Sequence, residues 1–215
     1  MISLHTHTIF SDGELLPSEL ARRCEANGYR CLAITDHCDS SNVEEIVTGV
    51  SKAVNDFNRT SKLKVLAGVE ITHVDPSIIG ELTRKARQFG AKIVVVHGET
   101  IVEPVKKGTN LAAIEAGVDI LAHPGFISKK EVELAKEKGV YLELTTRKGH
   151  SLTNGHVANL ALECGAPMVL NTDAHTPADL VKRDFALKVA MGAGLTLSQA
   201  ERLLDNSEKL AKSKF

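Results

Sequence analysis

The sequence has 215 residues, 26 Lys and Arg against 27 Asp and Glu for a formal net charge of −1, with 43% hydrophobic and 25% charged residues. These proportions are those of an ordinary globular chain and exclude the collagenous, disordered and disulfide-framework classes. The balanced charge gives no electrostatic ground for extended nucleic-acid binding, and no run of about 18 apolar residues is present to span a membrane.

Ile2 to His5 predicts a first strand. Pro17 to Asn27 predicts a helix, with Pro17 at its first position and Gly28 at its stop. Arg30 to Thr35 is the second strand and Ser41 to Asn58 the next helix. Lys64 to Ile71 follows as a strand, then Ile78 to Phe89 as a helix ending at Gly90. Lys92 to Val96 is the fourth strand, and Leu111 to Ala116 a helix before Gly117. Asp119 to Ala122 is the fifth strand and Lys129 to Lys138 a helix before Gly139. Val140 to Leu144, His156 to Glu163 and Pro167 to Leu170 read as strand, helix, strand. Ala178 to Ala190 and Leu197 to Lys212 close the chain as helices.

This is a run of seven strand-then-helix units, with no Pro- or Ser-rich linker to divide it, so residues 1–215 read as a single domain. Alternating strands and helices imply an α/β fold with a parallel sheet. The strand cores are near-continuous apolar runs, as in strands covered on both faces. Periodicity alone does not separate a barrel from a doubly wound open sheet.

The nine histidines do separate them. His5 and His7 end strand one, and Asp36-His37 ends strand two. Glu70, His97 and His123 end the third, fourth and fifth. Asp173 and His175 lie just past the seventh. In a barrel these ends converge on one face, where barrel active sites form. In an open sheet they would be spread along an edge. His73, His150 and His156 read instead as surface, loop or helix-start residues. Imidazole with carboxylate, without thiolate, suits Zn, Mn or Fe in a hydrolytic site. At three or four ligands per ion, two or three ions are expected. No phosphate-binding P-loop, G-x-G-x-x-G turn or G-x-S-x-G elbow competes.

Cys24, Cys31, Cys38 and Cys164 contain no C-x-x-C pair and read as reduced, packed thiols. With no basic and apolar leader pattern at Met1-Ile2-Ser3-Leu4, the expected location is cytoplasmic. Six Phe, two Tyr and no Trp leave little surface for stacking on bases.

The stretch HTHTIFSDG (5–13), ITDH (34–37), GVE (68–70), His97, AHP (122–124) and DAH (173–175) together resemble the PHP (polymerase and histidinol phosphatase) superfamily, over residues 2 to about 180. The resemblance implies a distorted seven-stranded (β/α) barrel of the TIM type, with a trinuclear metal centre at its C-terminal face. It implies that His5, His7, Glu70 and Asp173 hold one ion. Glu70, His97 and His123 would hold a second, with Glu70 bridging, and Asp12, His37 and His175 a third. Some members carry a histidine where this chain has Asp12, a harder ligand that shifts preference away from zinc. Asp36 and Glu143 are expected to orient ligating histidines.

The expected function is hydrolysis of a small phosphomonoester by a metal-activated hydroxide, with Glu70, Asp173 and His175 as catalytic residues and His175 a candidate acid for the leaving alkoxide. The substrate is expected to be histidinol-phosphate-like or a nucleotide. Arg147 and Lys148, in the polar loop after strand six, are the expected substrate contacts. The alternatives are a non-catalytic RNA- and protein-binding barrel of the ribonuclease P subunit type, a nuclease, or an amidohydrolase that also opens with H-x-H. The oligomeric state is left open.

Overall fold

Apolar runs rich in β-branched residues form an inner ring, and amphipathic helices wrap it. The structure is a computed structural model that describes residues 1–215. Its strands are β1 (Ile2–Ser3), β2 (Cys31–Ile34), β3 (His37–Cys38), β4 (Lys64–Ile71), β5 (Ile93–His97), β6 (Ile120–Ala122), β7 (Tyr141–Thr145) and β8 (Met168–Asn171). Its helices are α1 (Pro17–Ala26), α2 (Val43–Thr60), α3 (Pro76–Phe89), α4 (Thr109–Glu115), α5 (Lys129–Lys138), α6 (Asn154–Cys164), α7 (Arg183–Gly192) and α8 (Leu197–Lys212). Every paired strand runs parallel, in the order β1-β2-β4-β5-β6-β7-β8. The short β3 pairs only with β4, His37 opposite Glu70, and prolongs the β2 stave at its upper end. Seven staves thus make a nearly closed TIM-like barrel, as the sequence led us to expect.

The last seam is sewn mainly by side chains. Ser3 Oγ meets Thr172 Oγ1 at 2.9 Å, Asn171 Oδ1 accepts the Leu4 N–H at 2.8 Å, and Thr6 forms a single parallel bridge with Ala174. The Leu4 amide is thus spent on a side chain of β8, and β1 stops at Ser3 and not at His5. Helix α7 likewise begins at Arg183 and not at Ala178. Thr176 and Asp179 close a reciprocal cap around a 3-10 turn at Pro177–Asp179, which diverts the chain first.

Alternation along each strand sorts side chains into two cores. On β4, Val65, Ala67, Val69 and Ile71 face the helices, while Leu66 joins Ile2, Leu4, Ile93, Val95 and Val169 inside the barrel. Each such buried aliphatic side chain contributes about 1.5–3 kcal/mol of transfer free energy. The helices are stopped and started locally. Ser128 and Glu131 box the start of α5, and Gly139, at φ +70°, ends it in a left-handed conformation. No helix is long and apolar enough to cross a membrane.

Candidate metal centre

Continuing the inward side of the staves upward replaces apolar residues with acceptors. Glu70 stands four residues above Leu66 on β4, and His97 two above Val95 on β5. His123 and Asp173 lie just past β6 and β8, and His5 and His7 rise from the end of β1. All six are buried. His5 Nε2 is 3.3 Å and His7 Nε2 3.5 Å from Glu70 Oε2, and His7 Nε2 is 3.3 Å from Asp173 Oδ1. The other oxygens of the two carboxylates face His123 Nε2, Glu70 Oε1 at 3.7 Å and Asp173 Oδ2 at 3.6 Å. Above them Asp12 Oδ1 lies 3.4 Å from His37 Nε2 and 3.2 Å from His175 Nε2. The structure therefore brings together all nine positions named from the sequence.

The hydrogen bonds of these rings show what the cluster lacks. His5 Nδ1 is 2.9 Å from Glu143 Oε1, His97 Nδ1 3.2 Å from the Gly98 carbonyl, and His175 Nδ1 3.1 Å from the Asp173 carbonyl. Those partners only accept, so each Nδ1 is assigned the proton, and Nε2 of the neutral ring carries a lone pair. Each of these Nε2 atoms faces a carboxylate. His5 Nε2, both nitrogens of His7, both carboxylate oxygens of Glu70 and His123 Nδ1 are buried without a hydrogen-bond partner. Buried acceptors facing acceptors are costly unless cations lie among them. The donor set fits divalent metal ions of the zinc, manganese or iron type.

In the absence of metal, protons do part of that work. Burial alone would depress His5, but Glu143, Glu70 and Asp173 overcome it and hold its imidazole well above the usual range. Burial and the neighbouring imidazole of His37 press His7 well below it, and burial with His97 does the same to His123. Burial raises Asp173 to about 7, with Glu70 as a nearby like charge. Burial would also raise Glu70, yet His5 and His37 reverse the direction and keep it ionised.

The walls hold this floor in register. Glu143 accepts from His5 with one oxygen, shared with Asn171 Nδ2 at 2.8 Å, while its other oxygen takes the His123 N–H at 3.3 Å. Asp36, expected to orient a histidine, does not. It accepts from Thr8 N at 2.6 Å, Thr8 Oγ1 at 2.7 Å and Ser11 Oγ at 2.8 Å, and so pins the loop that carries Asp12. Gly13 completes that loop, because a Cβ there would lie 2.6 Å from the His7 backbone carbonyl. Three non-glycine residues have positive φ, His73 at 53°, His123 at 27° and Asp173 at 49°, and all three lie at this centre.

A cavity of about 570 Å³ opens above, with Asp12, His37, His73, Glu103, Arg147 and His150 in its walls. Arg147 donates to the Asp173 carbonyl at 3.2 Å and lies 3.7 Å from both Asp173 Oδ2 and Asp179 Oδ2. Lys148 is exposed and forms no part of the wall. His150, read from sequence as a loop residue apart from the site, is buried beside His123, ring centroids 4.2 Å apart. His73 is exposed as expected, but on the cavity rim. Glu103 had no signal in the sequence. His156 stays outside, bonded to the Ile127 carbonyl at 2.8 Å.

Comparison with known proteins agrees with this geometry. The PHP domain model matches residues 3–145. An uncharacterized protein of Methanocaldococcus jannaschii is 50% identical over 93% of both chains. A probable phosphatase of a Thermoanaerobacter species is 27% identical, over 91% of this chain and 87% of its own. Among solved structures, a chain of an archaeal ribonuclease P with mature tRNA superposes with TM-score 0.72 at 18% identity, covering 100% of this chain and 91% of that one, which is a likeness of fold.

Proposed function

The chain belongs to the PHP domain family, and from that membership we propose that it is a metal-dependent phosphoesterase acting on a small phosphomonoester. The observation that carries this reading is the cavity floor, where buried imidazole nitrogens and carboxylate oxygens converge and several are left without a hydrogen-bond partner. The relatives named probable phosphatases support the same reaction class. His5, His7, Glu70 and Asp173 would hold one divalent ion, His97 and His123 beside Glu70 a second, and Asp12, His37 and His175 a third. When bound, such ions supply Lewis acidity, acidifying water toward neutral pH and neutralising phosphoryl oxygens.

The chain's own residues do the rest. Glu70 and Asp173 each turn one oxygen toward His7 and the other toward His123, the disposition a carboxylate needs to serve two ions. Arg147 presents a guanidinium fork to the cavity and grips a phosphate oxygen left free by the floor. His175 keeps its Nδ1–H on the Asp173 carbonyl, so its Nε2 lone pair would first take a proton from the attacking water and then pass that proton to the leaving alkoxide when Asp12, His37 and His175 hold no ion. A cavity of about 570 Å³ suits a metabolite-sized ligand. The net charge of −1 offers no track for a polymer. A purely structural barrel, the alternative suggested by the ribonuclease P likeness, would have no use for orphaned acceptors whose burial costs stability. The four free cysteines suit a reducing cytoplasm.

A phosphatase screen over a metabolite panel, run after chelation with Mn, Zn and Fe each resupplied, tests this. The expected result is metal-dependent release of phosphate from a small monoester and poor action on long duplex DNA. Tight, salt-sensitive binding of long nucleic acid without phosphatase activity would overturn it.

A further inference from the structure

The loop between β5 and α4 carries a carboxylate that the nine positions leave unused. Glu103 Oε2 lies 3.1 Å from His73 Nε2 and 3.1 Å from His97 Nε2, and Glu103 Oε1 lies 3.3 Å from His150 Nε2. Glu70 makes no such contact with His97, so Glu103 is the carboxylate that this ring meets. The loop is held in place on several sides. Glu99 Oε1 accepts from Gly108 N at 2.9 Å and from Asn110 N at 3.0 Å. Thr100 Oγ1 meets His150 Nδ1 at 2.9 Å, and Lys106 pairs with Asp75, two residues beyond His73.

Hydrogen bonds alone do not account for this arrangement. His73 and His150 can each donate an Nε2–H to Glu103 as neutral rings. His97 cannot, because its proton sits on Nδ1 against the Gly98 carbonyl, so its Nε2 lone pair faces a carboxylate oxygen. A cation belongs between them. Either a second proton sits on His97, or a metal ion takes the lone pair. The donors favour the metal. Three imidazoles and a carboxylate are the complement of a borderline divalent ion. Ligands about 2.0 Å from a tetrahedral zinc stand roughly 3.3 Å apart, close to the observed separations. His73, His97 and Glu103 offer ligand atoms within 4.8 Å of one another, as do His97, His123 and His150.

We propose that the ion served by His97 takes Glu103 as its carboxylate ligand and His150 and His73 as further imidazole donors, so that the metal centre extends to the cavity rim beyond the nine positions. This rests on the metal reading above but not on the phosphate chemistry. An ion at the rim is more exposed than those on the floor and exchanges more readily.

The test is metal binding by chelator-stripped protein, read by elemental analysis after equilibrium dialysis and by the visible absorption of Co²⁺. Wild type, Glu103→Gln and His73→Asn are compared, Asn being chosen because it tolerates the positive φ at position 73. Glu103→Gln should bind one ion fewer per chain, with the other ions held as in wild type. His73→Asn should weaken one ion roughly 10- to 100-fold. If Glu103→Gln keeps every ion with unchanged affinity and an unchanged Co²⁺ spectrum, a proton and not a metal joins Glu103 to His97, and the proposal fails alone. Loss of all ions from Glu103→Gln would make Glu103 a support for the whole floor and would also overturn it. A wild type that binds no metal would remove the metal reading itself.

Discussion

The lower and upper halves of the barrel interior are built on the same staves yet solve opposite problems. Below, Ile2, Leu4, Leu66, Ile93, Val95 and Val169 meet as a dry aliphatic plug. A few residues higher, the same strands and their loops present His5, Glu70, His97, His123 and Asp173, with polar atoms left unpaired. The plug stabilises the fold and is indifferent to chemistry. The upper layer carries backbone strain at His123 and Asp173 and buried charge, both of which cost stability. The difference teaches that the seven-stave frame is held from below, so that the floor above can carry buried polar atoms left without partners.

Two substitutions on one strand should break the two layers apart. Glu70→Gln keeps the shape but removes the charge that two ions would share. It should lower kcat/KM by at least about 1,000-fold, on the order of 4 kcal/mol in transition-state stabilisation. The unfolding temperature of the metal-free protein should shift by only a few degrees, read by calorimetry. Leu66→Ala should do the reverse. It should cost about 2–5 kcal/mol of stability by leaving a cavity, while the folded fraction keeps kcat/KM within several-fold. Wild-type turnover by Glu70→Gln would show that the upper layer is structural too.

Arg147 and Lys148 sharpen the comparison at the mouth. Sequence offers them as equals, but only Arg147 reaches the cavity wall. Arg147→Ala should lower kcat/KM roughly 30- to 150-fold, about 2–3 kcal/mol, with metal content unchanged. Lys148→Ala should stay within about twofold. Equal effects would mean that the loop rearranges when substrate binds.

Glu143 lies at the boundary between the layers, where its oxygens receive His5, Asn171 and the His123 amide. A glutamine has one acceptor oxygen, so one of those donors would face its amide group. Glu143→Gln should therefore weaken metal binding roughly 10- to 100-fold without altering ligand identity. Isothermal titration of the stripped protein measures it.

Most of the frame and the floor could be read from residue order, because apolar runs and chemistry at their ends follow from strand geometry alone. What escaped depends on contacts between distant loops. His150 looks solvated in a polar stretch, yet Thr100 and Glu103, from the loop after β5 two staves away, meet it there. Glu103 has no pattern around it, and only the fixed loop brings it to His97. Asp36 was misread for the same reason. Both of its oxygens are taken by Thr8 and Ser11 of the loop after β1, a contact between separate segments that residue order does not show. The short β3 has too few residues to show a period.

The most direct measurement is the unfolding temperature of chelator-stripped protein against free Mn²⁺ or Zn²⁺. An upper layer built for cations gains about 4 kcal/mol per site once metal stands a thousandfold above its Kd. For a chain of 215 residues that is on the order of 10 °C in Tm. We expect a rise of at least that size in wild type and its near abolition in Glu70→Gln. An unfolding temperature that stays flat across the metal titration would contradict the assignment of this floor as a metal centre.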